Sequence, residues 1–199
     1  MDRRLVSWAR AVKARRRPGP PPLWLFTDSR RLPDPFPAVR ALPPGGISGV
    51  IFRHDGNEDR LAVGVALARL CRRRGIALAV AADAALAARL GAGLHLRDGT
   101  RPGVRRRPRR KGAFVTSSAH GPAAVRRALH ARAELIFISP AFATASHPGA
   151  RALGPLRWSR LARMARGRAA ALGGIDGAAL RRLPRHLCAA IGAIGALAP

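Results

Sequence analysis

The chain has 199 residues, enough for one hydrophobic core, and a single main domain is the expectation. Lys and Arg together number 37 against 10 Asp and Glu, for a formal charge of +27, yet only Lys13 and Lys111 are lysines. An Arg-, Ala-, Gly- and Pro-rich composition without Tyr is what GC-rich codons produce, so the charge alone does not define a nucleic-acid binder, although its field draws anions to any anion site.

In chain order, MDRRLVSWARAVKARRR (1–17) predicts a basic amphipathic helix and lacks the apolar stretch of a secretory signal. The Pro-rich segment that follows divides a helix-and-linker unit (1–22) from a domain at 23–199. Short apolar runs then predict strands at 23–28, 49–54, 76–83, 93–98, 113–118, 134–139, 169–174 and 187–192. Between them, helices are predicted within 58–75, 83–93, 121–133 and 154–167, the first closing on Gly and the last two opening on Gly-Pro.

Eight strands alternating with helices predict a shortened (β/α)8 TIM barrel. A doubly wound open sheet is the rival, weakened by the absence of a G-x-G-x-x-G turn after the first strand. The fourth crossover, GTRPGVRRRPRRKG (99–112), carries two prolines and a block of like charge, and reads as a loop. No eighth helix follows the last strand, and the helix at 1–17 is a candidate to cover that gap. Cys71 and Cys188 are too few for a disulfide framework and fit a reducing cytoplasm, and no apolar run approaches the roughly 18 residues that span a bilayer. Spacing says nothing of the oligomeric state.

A barrel of this kind places its site at the C-terminal ends of the strands. Polar residues gather there: Arg53, His54 and Asp55 at the second strand, Asp83 at the third, and His95, Arg97 and Asp98 at the fourth. Ser118 and His120 follow the fifth, and Thr144, Ser146 and His147 the sixth. Gly173, Gly174 and Gly192 let backbone N–H groups approach an anion. Plain alternatives stand beside these roles. Asp83 is also a good N-cap for AALAARL, His95 sits mid-strand where packed histidines occur, and Arg53 suits an ion pair.

GLHL (93–96), SAH (118–120), SPAFATASH (139–147), GGI (173–175) and AAIGAI (189–194), in this order and spacing, resemble the thiamine phosphate synthase/TenI family. The resemblance implies a thiamine-synthesis enzyme joining hydroxymethylpyrimidine diphosphate to thiazole phosphate with release of pyrophosphate. It implies phosphorylated small-molecule substrates, Mg2+ on Asp83 and Asp98, and catalytic roles for Arg53, His120 and Ser118. Thr144, Ser146 and His147 would cradle pyrophosphate, and Gly173, Gly174 and Gly192 the thiazole phosphate.

The chain departs from the family pattern at several of these points. Ile51 and Asp55 stand where the family carries Gln and Lys, and Ala82 stands for Asn. Thr100 falls on the second metal carboxylate and His147 on a lysine. These changes touch the diphosphate half most, so a TenI-type thiazole tautomerase, needing a proton shuttle and one phosphate site, is the second reading. The third is a non-catalytic barrel binding a phosphorylated ligand or polyanion. The basic stretch 101–112 has no aromatic residue for base stacking, which argues against nucleic acid.

Overall fold

The computed structural model describes residues 1–16, 19–55, 59–99, 114–144, 149 and 151–198, and all eight expected strands form. They are β1 (Leu23–Phe26), β2 (Ser48–Phe52), β3 (Ala77–Ala81), β4 (Gly93–Leu96), β5 (Val115–Ala119), β6 (Leu135–Ile138), β7 (Ala169–Leu172) and β8 (Ala190–Ala193). Each strand pairs in parallel with the next, and β8 returns to β1 through Leu23–Ile191, Trp24–Gly192 and Leu25–Ala193. The sheet is therefore a closed barrel, and the doubly wound alternative is set aside. Strands covered on both faces need no polar alternation, which is why these segments read as apolar runs.

The helices are α1 (Arg3–Arg15), α2 (Phe36–Ala41), α3 (Arg60–Arg74), α4 (Ala84–Leu90), α5 (Pro122–His130), α6 (Gly154–Met164) and α7 (Gly177–Leu180). α3 and α4 stop at Gly75 and Gly91, both left-handed, as glycine allows after a helix. α2 and α7 were not expected, because six and four residues are too short to show an amphipathic period. The fourth crossover, expected as a loop over 99–112, lies outside the described residues from residue 100 onward.

Inside the barrel, bulk on some strands is matched by its absence on others. Trp24 and Phe26 on β1 and Phe137 on β6 are fully or almost fully buried, and each β1 ring packs edge-to-face against Phe137. A Cβ on Gly49 would lie 2.5 Å from the Trp24 ring, and one on Gly192 would lie 2.7 Å from Phe26. Gly192 thus answers a packing demand within β8. A second apolar shell between strands and helices contains Leu23, Leu25, Val50, Phe52, Leu67 and Trp158.

α1 belongs to that outer shell, with Leu5 and Ala9 at 0% exposure. It packs against β1 and α7. Its cap residue Asp2 accepts hydrogen bonds from Arg4 N–H (2.8 Å) and Gly177 N–H (2.7 Å), while Asp2 N–H donates to Ala196 O (2.8 Å). Beyond β8 the described chain forms one 3₁₀ turn, Gly195–Leu197. The N-terminal helix therefore stands in the outer ring, packed against α7 and β1. No helix among the described residues is long and apolar enough to cross a membrane.

Candidate active site

The β1 and β2 ends build the first wall. Asp28 turns the chain after β1 by accepting hydrogen bonds from Arg30 and Arg31 N–H (both 3.1 Å), and its other oxygen pairs with Arg53 Nη2 at 2.9 Å. Burial opposes ionisation of Asp28, but the Arg31 and Arg30 N–H groups and the Arg53 guanidinium outweigh it and hold its carboxyl below the ordinary value. Arg53 Nε also donates to Thr27 O (3.2 Å).

A buried relay locks this wall. Arg53 N–H donates to Thr27 Oγ1 (3.0 Å), and that hydroxyl lies 3.0 Å from His54 Nδ1. His54 Nε2 reaches Pro33 O at 3.3 Å. A carbonyl only accepts, so Nε2 carries the proton and Nδ1 accepts from Thr27. His54 is structural: it ties the loop holding Arg31 to the strand end holding Arg53.

The second wall comes from β4, β5 and β6. Asp98 turns with φ of +50°, and its N–H donates to Ser118 Oγ (3.1 Å), while Gly99 N–H donates to Ser117 Oγ (3.0 Å). Ser118 lines the cavity and anchors the Asp98 turn. Asp98 Oδ1 is buried without a hydrogen-bond partner among the described residues, 3.7 Å from His120 Nε2. His120 Nδ1 donates to Ser139 O at 2.8 Å, so the imidazole is oriented by a carbonyl and presents Nε2 toward Asp98.

His95 forms part of the floor, in contact with Thr116 Oγ1 (2.9 Å) and edge-on to Phe26. Burial, with a smaller push from the Arg53 charge, lowers its pKa from 6.5 to about 3. The ring is neutral near pH 7, and the packed-histidine alternative describes its surroundings well. The unfolded chain protonates this histidine below about pH 6.5, while the folded chain refuses the proton down to about pH 3. Stability is therefore complete above pH 6.5 and falls as pH drops through that window, by up to about 1.4 kcal/mol per pH unit. Urea midpoints measured from pH 7 down to mildly acid pH check this. His95→Gln should flatten the dependence, and unchanged slopes would contradict it.

The third wall lies over β6, β7 and β8. Ala141 and Phe142 N–H groups donate to Leu172 O (2.8 Å) and Gly173 O (3.0 Å), pressing the β6 loop onto the β7 turn. Gly173 and Gly174 have φ of +86° and +61°, and both line the cavity with Thr144. Ser146 and His147 lie outside the described residues. From the last residue of β8 onward the lining consists of Ala193, Ile194, Gly195 and Ala196 and does not include Gly192.

These walls enclose a cavity of about 660 Å³, bringing together Arg53, Ser118, His120, Asp98, Thr144, Gly173 and Gly174 from the expected set. It also holds Arg31, Arg97 and Asp176. Arg31 was not singled out in the sequence; the usable signal was an Asp at a strand end followed by Ser-Arg-Arg, an Asx-turn pattern.

Asp83 is placed differently. It caps α4 by accepting from Leu86 N–H (2.9 Å), pairs with Arg60 Nη1 (3.0 Å) and does not line the cavity. A divalent ion needs carboxylate oxygens that are not already engaged. Asp83 has both engaged, only Asp98 of the expected pair faces the cavity, and no group of three or more His, Cys, Asp or Glu among the described residues is arranged to hold a metal. The expected Asp83–Asp98 pair, as placed, does not fit a Mg2+ site.

Fold and site together define a (β/α)8 barrel with a cavity at the C-terminal ends of its strands. The chain belongs to the TMP-TENI family: the family model, described as thiamine monophosphate synthase, matches residues 23–197. Its structure is similar to that of thiamine phosphate pyrophosphorylase from Pyrococcus furiosus, with a TM-score of 0.69 and 20% identity over 86% of this chain and 84% of that one. At that identity the likeness speaks for the fold.

Proposed function

We propose that this chain carries out a thiamine phosphate synthase-like transfer. Hydroxymethylpyrimidine diphosphate would lose pyrophosphate, the C–O electron pair leaving with it. The ring nitrogen of a thiazole phosphate would then form the new C–N bond to the pyrimidine methylene, giving a thiazolium. The observation that carries this reading is the two anion-attracting poles of one cavity: Arg53 and Arg97 over β2 and β4, and the Gly173–Gly174 turn with Gly195 and Arg31 near β7 and β8. Two phosphorylated substrates need two such poles. Arginines aimed at developing negative charge assist its departure, and the apolar Phe26 ring in the cavity lining would limit water at the cationic carbon.

The oriented His120, its Nε2 facing Asp98, favours a second reading, proton exchange on a bound thiazole phosphate as in a TenI-type tautomerase. One experiment separates them. Purified protein is given both substrates, with and without Mg2+, and thiamine phosphate is followed; thiazole phosphate alone is followed by NMR in D2O. Product that disappears in Arg53→Gln supports the transfer. Deuterium exchange without product replaces it with the second reading. Neither signal, with phosphate-ligand binding intact, leaves a binding barrel.

A further inference from the structure

Arg60, the first residue of α3, lies between two carboxylates at the ends of β2 and β3. Its Nη2 is 3.2 Å from Asp55 Oδ1 and its Nη1 is 3.0 Å from Asp83 Oδ2, and Nη2 also donates to Ala81 O (3.2 Å). The other oxygen of Asp55 holds Arg97, which lines the cavity. Asp83, Arg60, Asp55 and Arg97 thus form a line of alternating charge running from the cap of α4 to the cavity rim. The Arg60 side chain is only 21% exposed, so salt and water screen it weakly. A guanidinium does not lose its proton at any physiological pH, and its planar fork satisfies two carboxylates and a carbonyl at once.

We propose that the Arg60 guanidinium is a built-in cation in the place where Asp55 and Asp83 would otherwise offer oxygens to a divalent metal. The positive charge that meets the ligand's anionic group is then supplied by Arg97, held at the rim by Asp55. Anion binding in the cavity is independent of divalent ions. The inference rests on the transfer reading only in taking that anion to be a diphosphate. A metal entering between the two carboxylates would have to displace Arg60 and leave its partly buried charge without partners, which disfavours the exchange.

The test titrates inorganic pyrophosphate into the full chain by calorimetry, in EDTA and in millimolar Mg2+, with affinities corrected for the Mg2+–pyrophosphate complex. The two affinities are expected to agree within about twofold, and Arg97→Gln to weaken both by about tenfold or more. Binding only in Mg2+ would overturn the inference and leave the transfer reading standing. Binding in neither condition, for pyrophosphate and thiazole phosphate alike, would remove both. A second arm follows Mn2+ by electron paramagnetic resonance. Wild type leaves the free Mn2+ signal unchanged, whereas Arg60→Gln, with Asp55 and Asp83 uncompensated, takes up one ion. A folded Arg60→Gln that takes up none would sink the placement, and the wild-type EDTA comparison decides the matter even if that variant does not fold.

Discussion

His120→Gln is expected to lower turnover about a hundredfold or more while leaving the affinity for thiazole phosphate within about threefold of wild type. Nδ1 of His120 is committed to Ser139 O at 2.8 Å, so proton movement or charge delivery falls to Nε2, which faces Asp98 Oδ1 at 3.7 Å. Glutamine keeps an amide donor for the carbonyl but can neither hand a proton to the departing pyrophosphate nor cycle one in the exchange reaction. Single-turnover rates beside calorimetric binding of thiazole phosphate check the split between chemistry and binding. An unchanged turnover would mean that the arginines alone drive the reaction. Under the tautomerase reading the same variant abolishes deuterium exchange at the bound thiazole, so the two reactions report on His120 independently.

Gly174→Ala carries the largest expected stability effect. With φ at +61°, any side chain pays the left-handed penalty of about 1–2 kcal/mol. The new Cβ would lie 2.3 Å from Ala143 O and 2.9 Å from Phe142 C, both backbone atoms that cannot swing aside. Overpacking of that kind costs about 1–3 kcal/mol more. At about 2–4 °C per kcal/mol for a chain of this size, the thermal midpoint should drop by about 4–20 °C. Relief by displacing Phe142–Thr144 would also open the third wall, so phosphate-ligand binding should weaken in parallel. Gly121→Ala is the control: nothing lies within 4 Å of a Cβ there and its φ of −172° is ordinary extended backbone, so its midpoint should barely move. Equal shifts in the two variants would contradict the close approach at the β7 turn.

Much of this barrel was legible in the residues. Its strands are covered on both faces, so each appears as an apolar run between polar ends, and helices such as α3 and α4 carry their own stop signals. Arg53, Ser118, His120, Thr144, Gly173 and Gly174 could be placed at the rim by counting strands, because the barrel sends every strand's C-terminal end to one face. α2 and α7 could not, since a helix of one turn or so leaves no period to detect. The packing of α1 was open for another reason: a basic amphipathic stretch looks the same whether its apolar stripe meets solvent-exposed chain or packs against α7 and β1.

Charge partners were the part that spacing alone could not resolve. Asp83 reads equally well as a cap and as a metal ligand; Arg60, arriving from the start of α3, engages the oxygen that the cap leaves over. Gly192 reads as an anion cradle until Phe26, more than a hundred residues earlier, is seen to fill the space beside it. Arg31 reaches the cavity only because Asp28 turns its loop and His54 pins that loop through Thr27 and Pro33. Local sequence determined which segments became strands and helices, since burial period, caps and turn residues act over a few positions. Tertiary structure alone decided which charges meet, because an ion pair depends on where distant strand ends converge, and no local pattern encodes that distance.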